Sequence, residues 1–250
     1  MQAIKISAVS YLNAQPFIYG IQQSELSNTI EIELDTPANC AHKLLHNKVD
    51  IGLVPVAIIP HLKESFLLTD YCIGAVGAVN SVMLYGEVPL ASIKKIYLDY
   101  QSKTSVALVK ILAKNYWKIN PQWVDAEINY ENNIKENTAA VIIGDRTFEL
   151  KNKFNYAYDL AEEWGKLTGL PFVFACWVSN KKLSVEFTDA FNKANKFGVD
   201  NIEKMIDEWG LNRKYTIDVK EYLTKNISYN LDAAKQEGMK FFLEYLKCSL

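Results

Sequence analysis

Ser10, Tyr11 and Asn13 follow directly on an apolar run, Ile4–Val9, and precede Pro16. A hydroxyl, a phenol and an amide offer donors and acceptors without formal charge, a set suited to orienting a polar small molecule. A second group is Asp99-Tyr100-Gln101-Ser102-Lys103-Thr104-Ser105. Ser102, Thr104 and Ser105 supply hydroxyl donors and Lys103 supplies charge. Ahead of a helix, the free N–H groups and the positive dipole end would complete an anion site. An ordinary N-cap with solvated neighbours uses the same residue types and is the commoner occurrence. A third group is Ile142-Ile143-Gly144-Asp145. Gly144 would let backbone approach a ligand closely and Asp145 brings a carboxylate; a capped turn is again the ordinary use. A fourth is Asn80-Ser81-Val82, where Ser81 either faces a ligand or bonds to its own backbone.

Other reactive side chains carry weaker arguments. His42 and His46 share a face at helical spacing, but zinc needs three or four ligands and there is no HExxH pattern. A solvated helix face is the simpler account. Cys176 sits in an apolar run and reads as a small hydrophobe. Trp164, Trp177 and Trp209 read as core, with Trp177 placed to line a ligand site as well. There is no GxGxxG, no P-loop, no GxSxG and no Cys/His nucleophile pair. No metal and no cofactor are expected.

These groups need elements to hold them. Ile4–Val9 reads as a strand and the segment from Pro16 to Gln23 as a helix. Ile30–Leu34 is a second strand. Thr36-Pro37 opens a helix reaching about His46, and Val49–Val54 is a buried strand before Pro55. The pattern β-α-β-α-β-α predicts a parallel sheet with helices on both faces. In such sheets ligands bind beyond the carboxyl ends of strands, where Ser10 to Asn13 fall. Leu67–Ile73 and a Gly-punctuated Ala75–Tyr85 read as strands, the second leaving the first sheet. A second series follows: strand Ile96–Leu98, the polar turn, helix Val106–Tyr116, and strands at Trp123–Ile128 and Ala139–Ile143. Pro171–Val178 is a strand with almost no polar residue, buried on both faces. Helices are expected over Ser184–Phe197, Asn201–Trp209, Val219–Thr224 and Leu231–Leu246, with Asp218 and Asn230 as caps. The absence of a flexible linker predicts two lobes joined by strand crossings at Val82–Leu84 and Phe174–Trp177. Residues 1–85 plus 180–250 form lobe one in this reading, and 86–179 lobe two.

Composition restricts the function classes. The 250 residues are 49% hydrophobic and 22% charged, with a net charge of −2. That suffices for a sizeable core and shows no basic excess for nucleic acid or an anionic membrane. No signal peptide and no transmembrane run are read, so the expected place is the cytoplasm. The four cysteines are widely spaced, which fits reduced thiols there.

Taken in order, the motifs resemble a known family. They are Val9-Ser10-Tyr11-Leu12-Asn13-Ala14-Gln15-Pro16, Asp50-Ile51-Gly52-Leu53-Val54-Pro55-Val56-Ala57, Val79-Asn80-Ser81-Val82, Leu98-Asp99-Tyr100-Gln101-Ser102-Lys103-Thr104-Ser105, Ile142-Ile143-Gly144-Asp145 and Thr168-Gly169-Leu170-Pro171-Phe172-Val173-Phe174-Ala175-Cys176-Trp177. The ordered set is similar to the chorismate dehydratases of the futalosine route to menaquinone, the MqnA family. One departure is Lys103, where many relatives are expected to carry Arg; an ammonium keeps the charge but not the planar fork for a carboxylate. The sister enzyme, 1,4-dihydroxy-6-naphthoate synthase, differs at the first motif.

The resemblance implies an α/β fold of the type II periplasmic-binding-protein kind, two α/β lobes with a ligand cleft between them. It implies elimination of water from chorismate to give 3-[(1-carboxyvinyl)oxy]benzoate, a carbon-oxygen lyase reaction. It further implies Asn13, Ser81 and Asp145 as catalytic groups, with the base either Asp145 or the substrate's own enolpyruvyl carboxylate, and Ser10, Tyr11, Ser102, Lys103, Thr104, Ser105, Gly144 and Trp177 as substrate contacts. Chorismate is the expected partner, with no nucleic acid and no membrane. A homodimer is the base-rate expectation. The competing classes are a small-anion solute-binding protein and a regulatory effector domain, since fold does not fix function.

Overall fold

The computed structural model describes residues 3–249. In chain order, β1 (Ile4–Val9) leads through α1 (Gln15–Gln22) to β2 (Ile30–Asp35), and α2 (Pro37–Leu45) leads on to β3 (Ile51–Pro55) and β4 (Phe66–Ala75). Then come β5 (Val82–Gly86), β6 (Lys95–Leu98), α3 (Lys103–Leu112), β7 (Gln122–Asp125), β8 (Thr138–Ile143), β9 (Tyr156–Asp159) and α4 (Leu160–Thr168). The chain ends with β10 (Phe172–Ser179), α5 (Val185–Asp200), α6 (Ile202–Glu208), the single turn α7 (Val219–Glu221), β11 (Ser228–Asn230) and α8 (Ala233–Ser249).

These elements form two compact units. The first runs to Gly74 and resumes over Val173–Asp232; the second is Ala75–Phe172 with the chain from Ala233 onward. The boundaries differ from the expected ones. The long strand Ala75–Tyr85 does not form: Gly77 and Asn80 take positive φ, +89° and +60°, and an extended ladder cannot pass through two such residues. Only Val82–Gly86 remains as β5, antiparallel to β8 and β9 in the second sheet. β10, expected wholly within the second lobe, pairs antiparallel with β3, Ala175 opposite Pro55 and Ser179 opposite Ile51. α8 belongs to the second unit, where Trp164 meets Phe172, Phe241, Phe242 and Tyr245. The cap expected at Asn230 is instead the last residue of β11.

In the first unit the sheet order is β11-β4-β10-β3-β1-β2. β1 runs parallel to β2 on one side and to β3 on the other. The chain therefore leaves β1 in one direction and returns on its other flank. That reversal is a topological switch point, and it opens beyond the ends of β1 and β3. All eight residues of β10 are buried, as its unbroken apolar run requires. α1 starts with Pro16 in its first turn. It packs against α5 at a backbone-to-backbone crossing. A methyl on Gly20 would collide with the Ala194 carbonyl, and one on Gly198 with the Pro16 carbonyl.

The second unit repeats the plan. Its order is β7-β6-β8-β5-β9, with β6 parallel to both β7 and β8. A second switch point thus opens beyond Leu98 and Ile143. One core cluster gathers Tyr85, Ala126, Tyr130, Ile134, Ala140 and Ile142. The chain passes between units at the ends of β4, β10 and β11, three neighbours in the first sheet.

Candidate functional site

The first group of polar residues lies beyond β1. Ser10 leaves the strand with its N–H donated to Asp35 O at 2.9 Å. Tyr11 is extended, and Leu12–Ala14 makes one 3₁₀ turn closed by Ala14 N to Tyr11 O at 3.0 Å. α1 starts immediately, because Pro16 needs no N–H acceptor in the first turn. The result places Asn13 inside the unit, at 8% exposure. Its Oδ1 is buried and accepts no hydrogen bond from any described residue. Leaving a buried amide oxygen unsatisfied costs roughly 1–3 kcal/mol, and this atom lies at the switch point beyond β1. The Asn13 carbonyl is held separately, by Tyr229 Oη at 3.0 Å.

The second group surrounds the ends of β6 and β8. Asp99 Oδ2 accepts from Tyr130 Oη at 2.6 Å, from Ile143 N at 3.2 Å and from Arg146 Nη2, while Oδ1 accepts from Gln101 N at 2.8 Å. One carboxylate thereby staples the two strand ends that flank the switch point. The Arg146 guanidinium lies over the rings of Tyr100 and Tyr130, 5.5 and 5.8 Å from their centroids. Burial, and then the Asp99 charge, push the Tyr130 phenol far above its usual range. At the start of α3, Ser102 caps the helix: its Oγ accepts from Ser105 N at 3.2 Å and from Ser105 Oγ at 3.1 Å. Both lone pairs of Ser102 are then engaged, and its own proton is what it has left to donate.

Ser81 and Gly144 meet across β5 and β8, with Gly144 N donating to Ser81 O at 2.9 Å. Gly144 sits at φ +70°, a conformation glycine adopts without a Cβ penalty. Thr147 Oγ1 lies 2.8 Å from Gly144 O and 3.2 Å from Asn80 O. Asp159 Oδ2 accepts from Asn80 N at 2.6 Å, and Oδ1 from Ala161 N and Glu162 N at 3.0 and 3.1 Å. Burial raises the Asp159 carboxyl against the opposing pull of these N–H groups. The turn carrying Ser81 and the turn carrying Gly144 and Asp145 are therefore one connected piece.

The menaquinone biosynthesis family model matches residues 4–248 of this chain. The chain belongs to the menaquinone biosynthesis family. It is 25% identical over 230 residues to the chorismate dehydratase of Thermus thermophilus, covering 84% of each chain. It is 23% identical over 245 residues to the chorismate dehydratase of Campylobacter jejuni, covering 96% of each. A Candida albicans protein described as exhibiting the generic periplasmic binding protein structural fold superposes with a TM-score of 0.64. Its identity to this chain is 13%, with coverage of 99% of this chain and 91% of that one. The two-unit α/β architecture of this family member is thus the periplasmic-binding-protein-like fold.

Within the first unit the structure brings Ser10, Tyr11 and Asn13 to one strand end. Within the second it brings Ser81, Asp99, Ser102, Gly144 and Asp145 to another. The Trp177 ring is 1% exposed and packs between Phe17 and Phe191, with centroids at 6.1 and 5.1 Å, while its Nε1 is buried without a hydrogen-bond partner among the described residues. The anion site expected from three hydroxyls is reduced. Ser105 Oγ is spent on the Ser102 cap, and Lys103 is exposed at the first helical position. Arg146 is the residue the sequence reading missed. It follows Gly144-Asp145 directly, and the signal was present: a cation beside a strand-end glycine, in a unit whose neighbouring strand ends in Asp99. His42 and His46 stack at 4.2 Å, and the His46 charge lowers His42. Among the described residues no three His, Cys, Asp or Glu side chains gather to hold a metal. No described helix is long and apolar enough to cross a membrane.

Proposed function

We propose that this chain is a chorismate dehydratase, a carbon-oxygen lyase converting chorismate to 3-[(1-carboxyvinyl)oxy]benzoate. The observation that carries this reading is the end-to-end similarity to two relatives of that name within one family. The reaction removes the C3 hydrogen as a proton and the C4 hydroxyl as hydroxide; together they leave as water and the ring becomes aromatic. The C3 proton is conjugated through a ring double bond to the carboxylate, so its removal spreads charge into that carboxylate. Donors fixed on the carboxylate stabilise this charge, and a group on the hydroxyl directs its departure.

The site chemistry agrees with this substrate. As a dianion, chorismate has one O–H donor, its C4 hydroxyl, and otherwise accepts hydrogen bonds. Asn13 Oδ1 is an acceptor that needs a donor. Asn13 therefore takes the C4 hydroxyl in our reading, and Ser10 and Tyr11 border it. Ser102, whose proton is left to donate, and the first turn of α3, with Lys103 and Thr104, take a carboxylate, while Ser105 serves by holding Ser102. Ser81 joins the group acting on the reacting ring carbons, with Gly144 setting its backbone. Asp145 is the candidate protein base; the substrate's own enolpyruvyl carboxylate is the competing one.

The test is direct. Purified protein mixed with chorismate should develop a benzoate-type absorbance, while a solute-binding protein would bind and leave the spectrum unchanged. Asn13→Ala and Ser81→Ala should lower kcat more than they raise KM. Unchanged rates would remove those two residues from the reaction. Asp145→Asn should abolish turnover if Asp145 is the base, and a small loss assigns the proton to the substrate carboxylate.

A further inference from the structure

Asn13 is held by more than its own turn. Its carbonyl accepts from the phenol of Tyr229, 216 positions away in sequence, at 3.0 Å. Tyr229 lies on β11 and is buried at 5% exposure. Its ring meets Phe17 edge-on, with centroids 5.3 Å apart. Phe17 belongs to the first turn of α1, four residues after Asn13. The same Phe17 ring meets Tyr71 of β4 at 6.5 Å and Trp177 of β10 at 6.1 Å. Each of the three neighbouring strands at whose ends the chain changes unit thus sends one aromatic ring onto Phe17. Of these three, Tyr229 is the one whose polar atom reaches the Asn13 backbone.

The bond has two physical consequences. It satisfies a buried carbonyl in a 3₁₀ turn, where the backbone ladder supplies few partners. It also pins the peptide next to the Asn13 side chain, whose Oδ1 is left for a ligand. A shift of about 1 Å in a catalytic group costs on the order of a hundredfold in rate, so a fixed carbonyl matters at this position. We propose that Tyr229 is the positioning residue for Asn13, acting on the reaction through the Asn13 carbonyl. This rests on the chorismate dehydratase reading and on Asn13 being in its site.

The test is a double-mutant cycle. Tyr229→Phe removes one oxygen and keeps the ring on Phe17. It is measured alone, and again in an Asn13→Ala background, with kcat, KM and the midpoint of thermal unfolding for each. We expect Tyr229→Phe alone to lower kcat about tenfold, as loss of roughly one hydrogen bond's worth of alignment would, with KM changed less than about twofold. In the Asn13→Ala background the same substitution should cost almost nothing further, because the group it positions is gone. Equal losses in both backgrounds, or a lowered unfolding midpoint with unchanged kcat, would make Tyr229 a purely structural residue and overturn the proposal. Absence of chorismate turnover by the unaltered protein would instead overturn the functional reading, and this assignment with it.

Discussion

Asp99 has no exposed side-chain surface, while its partner Arg146 retains 30%. Removing one member of a buried pair leaves the other's desolvation uncompensated, whereas removing both can be nearly neutral. Arg146→Ala should therefore cost about 2–3 kcal/mol of unfolding free energy. Adding Asp99→Asn should recover only part of that, because the two Asp99 oxygens accept from separate backbone N–H groups and an amide can serve only one of them. Urea unfolding of the two variants checks it, and equal losses would show that Arg146 contributes through its packing on Tyr100 and Tyr130 alone. This cluster also shows what a sequence can reveal at the scale of single residues. Ser10, Asn13 and Asp145 stand out as candidates because each sits one to four residues past the end of a recognisable strand, whereas Ser81 falls inside the expected strand Ala75–Tyr85 and in the fold precedes β5. The pairing of Asp99 with Arg146 is not, because 47 positions separate them and only the sheet order brings them together. The aromatic surroundings of Trp177 are unreadable for a related reason: alternation says that a strand residue points to one face, not which face meets aromatic rings.

At the scale of elements, the strand-end site depends on how α1 is seated. Gly198 of α5 lies against the Pro16 carbonyl with no room for a methyl. Pro16 is three residues from Asn13, so a push there is transmitted to the site. Gly198→Ala should cost about 1–3 kcal/mol through overpacking, against a few tenths gained from helix propensity, and should lower turnover as well as stability. Gly165→Ala in α4 is the contrasting case. The nearest atom to a methyl there is 4.0 Å away, so up to about 1 kcal/mol of stabilisation is expected from helix propensity, with turnover unchanged. Thermal unfolding and kcat for both variants make the comparison; an inert Gly198→Ala would mean that the α1–α5 crossing relaxes freely. Helix α2 and the buried strand β10 were readable because Thr36, Pro37 and the apolar run of β10 are local signals. The stretch after β4 was not, because alternation continues through Gly77 and Asn80 while their positive φ values break the ladder.

At the scale of the whole molecule, the two-unit plan was legible and its boundaries were not. A boundary is set by which strands pair over long range, and α8 crosses to the second unit after only three residues of β11. What both units share is burial of tyrosine phenols. Burial and the nearby Asp159 charge push Tyr85 up to about 12. Tyr130 in the second unit and Tyr229 in the first are raised as well, each chiefly by burial. An unfolded tyrosine ionises near pH 10. Above that pH the unfolded chain releases protons that the folded chain keeps, so the folded state holds more protons and its stability falls as pH rises. The contribution is complete below pH 10 and is lost as pH climbs toward the folded values, at about 1.4 kcal/mol per pH unit for each phenol. Lys43, raised by its bonds to Asp35 and Glu33, acts in the same direction. Thermal unfolding followed from pH 7 to 11.5 should show a midpoint that begins to fall above about pH 8.5, where the unfolded Cys40 and Cys176 thiols ionise while burial keeps them protonated in the folded chain, and a steeper decline beyond about pH 10. Tyr85→Phe should flatten that decline by one proton's worth. Tyrosinate absorbance gives the independent reading. Tyr85, Tyr130 and Tyr229 should ionise only as the chain unfolds. Titration of all of them near pH 10 in a folded protein would show that these phenols are reached by water without unfolding.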